Sequence, residues 1–85
     1  MKYSLRQLEI FLAIARQQNI SRAAETLHMS QSAASAALQN LEQAYNISLF
    51  NRIGKKLELN EVGKALRSTA EILISHAHEF DQAMQ

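Results

Sequence analysis

The chain of 85 residues contains no cysteine and no proline, and it has only two glycines. Without cysteine there is neither a disulfide nor a thiolate metal site, so a chain this short has to be stabilised by a hydrophobic core. Proline and glycine are the residues that most often interrupt helices, and their scarcity favours long helical segments. The apolar content of 47%, rich in alanine, suits closely packed helices. We therefore expect one small, mostly α-helical domain.

Long apolar runs are missing as well. No segment is apolar over the length needed to cross a bilayer, and the amino terminus lacks the apolar stretch of a secretory signal. A cytoplasmic protein without a membrane partner is therefore expected.

The formal net charge of +1 favours no class of partner, but the charges are unevenly placed. Five of the nine basic residues lie between Arg52 and Arg67, whereas residues 71–85 contain three acidic residues and no Lys or Arg. A basic patch at one end of the fold would attract phosphate groups, although charge clusters are often only solvated surface.

Residues 21–45 have the spacing of a helix-turn-helix. Ser21 is predicted to cap a short helix, and Ser30 is predicted to cap a longer one. The buried side of the short helix should consist of Ala23, Ala24 and Leu27. Because only His28 and Met29 then remain before Ser30, the two helices must turn sharply against each other.

The longer helix divides into two faces. Its apolar residues recur at steps of four, three and four and should face a core: Ala34, Leu38, Leu41 and Tyr45. Short or amide-bearing side chains lie away from this stripe: Gln31, Ser32, Ser35, Ala36 and Gln39. Such a surface would let the helix enter a DNA major groove and bond to base edges. A merely solvated polar face is the alternative, and the periodicity alone favours it.

A first helix should precede this pair and support it. Its apolar face is predicted to consist of Leu5, Leu8, Phe11, Leu12 and Ala15, with Ser4 as the cap. Arg6 lies near the start of this helix, where it could contact a phosphate; a solvated arginine is the alternative.

A two-stranded wing is predicted after the longer helix. Asn46 suits the left-handed backbone that ends a helix, and Ile47, Leu49 and Phe50 should return to the core. Leu57 and Leu59 then alternate with charged residues as in a strand, and Gly54 and Lys55 sit where a hairpin would turn. The wing cations Arg52, Lys55 and Lys56 would bind backbone phosphates or enter the minor groove. A basic surface loop is the weaker alternative.

Asn60 is predicted to cap a last helix that begins at Glu61. Its apolar residues form a heptad stripe: Leu66, Ala70, Leu73, Ala77, Phe80 and Met84. At about 1.5 Å per residue this helix would be roughly 35 Å long, more than so small a body covers. Another chain is the natural cover, and a helix that lies along its own domain is the competing interpretation. The stripe does not distinguish parallel from antiparallel pairing.

Evidence for catalysis is thin. His76 and His78 are two residues apart on a helix and diverge, whereas His76 and Glu79 are close enough to meet. A metal-assisted enzyme is the least favoured alternative, because that pair is its only support. No glycine-rich phosphate loop or nucleophile motif occurs, so neither an enzyme nor a cofactor is expected.

Five short motifs occur in order along the chain: S-R-A-A at 21–24, S-Q at 30–31, L-E at 41–42, L-F-x-R ending at Arg52 and L-x-E-x-G ending at Gly63. With them, residues 5–66 closely resemble the amino-terminal DNA-binding domain of LysR-type bacterial transcriptional regulators. The resemblance implies a winged helix-turn-helix with a three-helix core and a two-stranded wing over residues 1–60. It further implies a linker helix over residues 61–85 that forms a homodimer. A carboxy-terminal effector domain, on which a small-molecule inducer would act, would be absent from this chain.

The resemblance also implies that the dimer binds a partly palindromic promoter site. It places Gln31, Ser32, Ser35 and Ala36 at groove-facing positions and Arg52 as the wing cation. Together with the reasoning from the residues, the predicted DNA-binding set is Arg6, Arg22, Ser30, Gln31, Ser32, Ser35, Ala36, Gln39, Arg52, Lys55 and Lys56. A helical protein–protein interaction module that uses the heptad face of residues 62–84 remains the alternative function.

Two residues depart from the family pattern. Ser32 stands where the family often has proline, and Ala36 stands where it often has arginine or lysine. A frequent source of guanine recognition is therefore absent from the helix. Specificity should depend on glutamine and serine hydrogen bonds, on contacts between Ala36 and thymine methyl groups, and on DNA shape.

Overall fold

The computed structural model describes residues 1–85 and contains four helices and one two-stranded antiparallel sheet. In chain order the elements are α1 (Leu5–Gln17), α2 (Ile20–Thr26), α3 (Gln31–Tyr45), β1 (Phe50–Ile53), β2 (Lys56–Leu59) and α4 (Glu61–Met84). This order is that of the expected winged helix-turn-helix followed by a long helix.

Helix α1 lies at the centre of the core. Ser4 caps it through a capping box, because its Oγ accepts the N–H of Gln7 at 3.1 Å and the Gln7 side chain accepts the N–H of Ser4 at 2.9 Å. The buried residues are Leu8, Ile10, Phe11, Ala13 and Ile14. The expected stripe was therefore only partly right: Leu5 is 46% exposed, and Leu12 and Ala15 are half-buried. Because α2, α3 and α4 all pack on α1, burial extends around most of this helix.

Helix α2 begins earlier than predicted. Asn19, not Ser21, is its cap, since the Asn19 Oδ1 accepts the N–H of Arg22 at 3.0 Å. Ile20 then packs into the core in the first turn, which leaves Ser21 exposed within the helix. Ala23 and Ala24 are buried as predicted.

A tight turn at His28 separates α2 from α3. His28 has a φ of +56°, the left-handed backbone that a sharp change of direction requires. The Ser30 Oγ accepts the N–H of Ala33 at 3.1 Å, which confirms Ser30 as the cap of α3.

Helix α3 buries Ala34, Leu38 and Leu41 as the periodicity predicted. Tyr45, the last member of the predicted stripe, is 43% exposed, because it borders an apolar cavity that no side chain fills. Asn46 then ends the helix with a φ of +55°, as expected.

The predicted wing is present. Strands β1 and β2 pair with Phe50 opposite Leu59 and Ile53 opposite Lys56, and the turn lies at Gly54 and Lys55. The N–H of Leu57 donates to the carbonyl of Gln18 at 3.0 Å, which holds the hairpin against the end of α1. Leu49 and Phe50 are buried as predicted, whereas Ile47 is exposed.

Asn60 caps α4 by accepting the N–H of Gly63 at 2.8 Å, as predicted. The helix has 24 residues and lies in a molecule whose longest dimension is 43 Å. Gly63 and Ala70 are its only buried residues, so its first half is docked on the body and its last turns extend beyond it. Neither α4 nor any shorter helix combines the length and apolar character needed to span a membrane.

Candidate nucleic-acid interface

The exposed face of α3 is polar and carries no charge. Gln31, Ser32, Ala36 and Gln39 are exposed, and Ser35 is half-buried at the edge of the face. At about 100° per residue, Ser32, Ala36 and Gln39 lie on the side opposite Ala34, while Gln31 and Ser35 flank them. The face therefore offers hydroxyl and amide groups around the methyl group of Ala36.

Ser30 lies at the start of this face, but its hydroxyl is already engaged. The Ser30 Oγ accepts the N–H of Ala33 and lies 3.3 Å from the Ser32 Oγ. A hydrogen bond between the two hydroxyls aligns Ser32 at the tip of the helix. The first contribution of Ser30 is thus to hold α3 and Ser32 in place.

Gln43, which is not in the predicted set, also belongs to this face of α3. This residue is exposed and lies one helical turn beyond Gln39 on the same side of α3. The signal was available, because Gln39 and Gln43 are four residues apart.

The predicted DNA-binding cations differ in whether they are free to bind an external anion. Arg22, Arg52 and Lys55 make no side-chain hydrogen bond and no ion pair within the chain, so their charges are available to an external anion. The Nζ of Lys56 instead lies 3.1 Å from a carboxylate oxygen of Glu58.

Arg6 is also engaged within the chain. It lies 3.8 Å from a carboxylate oxygen of Glu9, and its Nη2 donates to the carbonyl of Leu27 at 3.4 Å. Arg6 therefore braces the turn between α2 and α3, and its phosphate contact would have to compete with these partners.

The heptad stripe of α4 is only partly exposed. Leu66 and Leu73 are exposed, and Phe80 and Met84 are 69% and 74% exposed. Ala70 departs from the prediction: it is 4% exposed because its methyl group packs in the core of its own chain. Its small side chain lets α4 lie close to α1, so Ala70 has no surface left for a second chain.

The remaining members of the stripe lie on one flank of α4. Ala77 is half-buried and lines a groove with Leu5 of α1. Val62 and Ile72, which were not in the predicted set, are exposed. On a helical projection, Val62, Leu66, Leu73 and Phe80 are rotated by about 40 to 80° from Ala70. The free apolar surface is therefore the side of the predicted stripe that faces away from Ala70.

An apolar cavity of about 370 Å³ separates the end of α3 from α4. Tyr45 of α3, Ile47, and Leu66 and Leu73 of α4 lie on its walls. Its lining is hydrophobic except for Thr69. The two helices thus face each other across a gap over this stretch.

His76 and Glu79 do meet. The His76 Nδ1 lies 3.2 Å from a carboxylate oxygen of Glu79, and both side chains are largely exposed. No third histidine or acidic residue completes a cluster of potential metal ligands around them. The pair is an exposed contact between neighbouring turns of α4.

Residues 5–64 match the model of the bacterial regulatory helix-turn-helix proteins of the lysR family. The RuBisCO operon transcriptional regulator of Allochromatium vinosum is 38% identical over 85 residues, which cover 100% of this chain and 28% of that protein. The HTH-type transcriptional regulator YeiE of Escherichia coli K12 is 42% identical over 82 residues, 96% of this chain and 28% of YeiE. The chain thus spans little more than a quarter of the length of these relatives.

Solved structures share the fold. The DNA-binding domain of CbnR in complex with DNA superposes with a TM-score of 0.88 at 30% identity, over 95% of this chain and 93% of that one. The DNA-binding domain of BenM in complex with benA site 1 DNA gives a TM-score of 0.89 at 27% identity, over 95% and 94% of the two chains. These matches confirm the mostly helical, winged helix-turn-helix fold. The relatives are regulators, which agrees with the expectation that the chain is not an enzyme.

Proposed function

The chain belongs to the lysR family of bacterial regulatory helix-turn-helix proteins, and we propose that it binds promoter DNA as a dimer and thereby regulates transcription. Residues 1–60 would bind the DNA, and residues 61–85 would join two copies. Each copy would place α3 in the major groove of one half of a partly palindromic site.

The observation that carries this proposal is the uncharged polar face of α3. Gln31, Ser32 and Gln39 are exposed. The side-chain amide of a glutamine can form two hydrogen bonds with one adenine, at its N6 and N7 atoms. Ala36 lies among them and can contact a thymine methyl group. A face of this composition favours base readout over phosphate binding, because it has no Lys or Arg to contact phosphate. Ser35 and Gln43 extend the same face.

Phosphate binding is assigned to cations beside α3. Arg22, in the first turn of α2, and Arg52 and Lys55, in the wing, have no partner within the chain. They would orient the domain on the DNA backbone, and the wing cations would reach the adjacent minor groove. Lys56 and Arg6 would contribute less, since Glu58 and Glu9 partly neutralise them.

The homodimer is assigned to the exposed flank of α4. Leu66, Leu73, Phe80 and Met84 present apolar side chains that nothing in their own chain covers fully. A second copy that offers the same flank would bury them by an isologous contact. Ala70, buried in the core, is left out of this surface.

The whole protein would act in the bacterial cytoplasm, where promoter DNA is located. The chain spans 28% of the length of the first relatives that it matches. A small-molecule inducer would act through an effector domain in the remaining length of such a protein.

Selection from a pool of random duplexes tests the proposal. The chain is incubated with the pool at near-physiological salt and with excess competitor DNA, and bound duplexes are sequenced after each round. Enrichment of a motif with two related half-sites is the expected outcome, since base readout by two copies produces both features. Binding that remains salt-sensitive and enriches no motif would contradict it. Such a result, with tight self-association through α4, would favour the protein–protein interaction module.

A further inference from the structure

The end of α3 and the start of α4 are joined through one buried residue, Leu49. The Glu42 carboxylate of α3 accepts the N–H of Leu49 at 2.7 Å. The backbone N–H of Asn60, the cap of α4, donates to the carbonyl of Leu49 at 3.0 Å. Both backbone polar groups of Leu49 are therefore held by the two helices that it connects.

Two further contacts tighten this joint, which we define as Glu42, Leu49, Asn60 and Gly63. The Asn60 Nδ2 donates to the carbonyl of Ser48 at 2.7 Å, while its Oδ1 accepts the N–H of Gly63 at 2.8 Å. A Cβ atom on Gly63 would overlap the carbonyl oxygen of Leu49. The first turn of α4 thus rests directly on the residue that Glu42 holds from the other side.

The two helices make little direct contact with each other, and each packs separately on α1. The apolar cavity lies between Tyr45 of α3 and Leu66 of α4, so side chains do not interlock there. Interlocking ridges and grooves are what ordinarily determine a helix crossing angle. Glu42 is half-buried and has no cation within ion-pair distance, so its carboxylate is committed to the Leu49 N–H. Hydrogen bonds to an ionised carboxylate are among the stronger ones in proteins.

We propose that Glu42 and Asn60 are positioning residues that, together with the packing of both helices on α1, set the angle between α3 and α4 and thereby the half-site spacing that the dimer recognises. The inference rests on the proposed function, in which α4 joins the copies and α3 reads the DNA. With half-sites about 34 Å apart, a rotation of about 10° would move each α3 by about 3 Å, close to one base-pair step. A loosened joint would therefore tolerate spacings that the wild-type dimer rejects.

Binding to duplexes of altered spacing tests this inference. The selected operator is compared with versions that carry one or two base pairs more or fewer between the half-sites, and with a duplex that holds one half-site. The variants are Glu42→Ala, which removes the acceptor, and Glu42→Gln, which keeps one. Asn60→Ser retains a good helix cap but lacks the amide donor to Ser48. Glu71→Ala, which removes an exposed carboxylate from α4, is the matched control.

The expected result separates spacing from affinity. Glu42→Ala and Asn60→Ser should lower the ratio of dissociation constants between shifted and optimal spacing by about tenfold, while affinity for the single half-site changes by less than about twofold. Glu42→Gln should retain most of the discrimination, and Glu71→Ala should retain all of it. A merely structural role would lower affinity for all duplexes alike.

A second measurement needs no DNA. Because the chain has no cysteine, Asn40→Cys, on the exposed side of α3, allows one spin label per copy. The distance distribution between the two labels of the dimer is measured by pulsed electron paramagnetic resonance. We expect the distribution to broaden in Glu42→Ala and Asn60→Ser and to keep the wild-type width in Glu71→Ala.

The outcomes distinguish the two proposals. A wild-type chain that selects no paired half-sites overturns the proposed function and this inference together. A wild-type chain that discriminates spacing, with variants that discriminate equally well and show unchanged label distances, overturns the inference alone. Should Glu42→Ala fail to fold, Asn60→Ser decides the question, because it is the other variant expected to lose the discrimination.

Discussion

Helices α3 and α4 follow the same design in the sequence but not in the structure. Each begins at a polar cap, Ser30 or Asn60, and each carries apolar residues at alternating steps of three and four. In α3 the stripe is buried as far as Leu41, whereas in α4 the stripe is buried only at Ala70. The difference shows that periodicity identifies an apolar face and does not identify what covers it.

The reason lies in length and in side-chain size. α3 has 15 residues and its stripe lies over the body almost to its end, whereas α4 has 24 residues and extends past the body. At the crossing with α1, the small side chain of Ala70 allows close packing. Beyond that point the larger Phe80 and Met84 have no neighbour on the same chain to cover them.

The largest effect is expected in the covered stripe of α3. Leu38→Ala should lower the free energy of unfolding by about 2 to 5 kcal/mol, because it leaves a cavity in a core that does not close around it. Urea denaturation monitored by circular dichroism measures the change. Leu5→Ala removes the same atoms from a side chain that is 46% exposed and should cost less than about 1 kcal/mol. Equal losses would show that α1 and α3 are not packed as described.

The uncovered flank of α4 should respond differently. Phe80→Ala should raise the dissociation constant of the dimer by about 10- to 100-fold, since an exposed aromatic side chain would become buried only between two copies. Sedimentation equilibrium over a range of concentrations measures it. Ser75→Ala, on another side of α4, is the control and should leave assembly unchanged. If Phe80→Ala also left it unchanged, the flank would not be the dimer surface.

The exposed face of α3 should contribute to specificity without contributing to stability. Gln31→Ala should cost about 1 to 3 kcal/mol of binding free energy on the selected site and little on random DNA, because a base contact is lost. Fluorescence anisotropy on both duplexes separates the two effects, with Gln82→Ala in α4 as the control. A loss of the same size on both duplexes would argue against base readout by Gln31.

The smallest effect is expected in the wing, which lies between the two helices in the chain. Arg52→Ala should weaken binding to all sequences by about 1 kcal/mol and reduce the slope of log affinity against log salt by about 0.9, since one phosphate contact is lost. Lys56→Ala should change the slope less, because Glu58 already shares the charge of Lys56. Titrations at several salt concentrations measure both slopes. An unchanged slope for Arg52→Ala would show that Arg52 does not contact a phosphate group.

Local signals in the sequence predicted most of the element boundaries correctly. The caps at Ser4, Ser30 and Asn60 and the helix end at Asn46 depend on hydrogen bonds within a few residues, so short motifs are enough to locate them. The exception is α2. Asn19 and Ser21 are both good caps, and burial of Ile20 in the core, a tertiary contact, decides in favour of Asn19.

The candidate interface could be predicted only in part, because some of its features also depend on tertiary contacts. The period of α3 was enough to group Ser32, Ala36 and Gln39 on one face. It could not show that Arg6 braces the turn at Leu27, because those residues are far apart in the chain.

By itself the sequence determined the number and type of the elements, their caps except that of α2, the wing turn and the polar character of the exposed α3 face. All of these follow from interactions between residues that are close along the chain. The tertiary structure alone decided which part of α4 is covered and which cations remain unpaired. It also decided that Glu42 and Asn60 both form hydrogen bonds with the backbone of Leu49. These features depend on how the elements pack together, and packing is set by contacts that no local pattern contains.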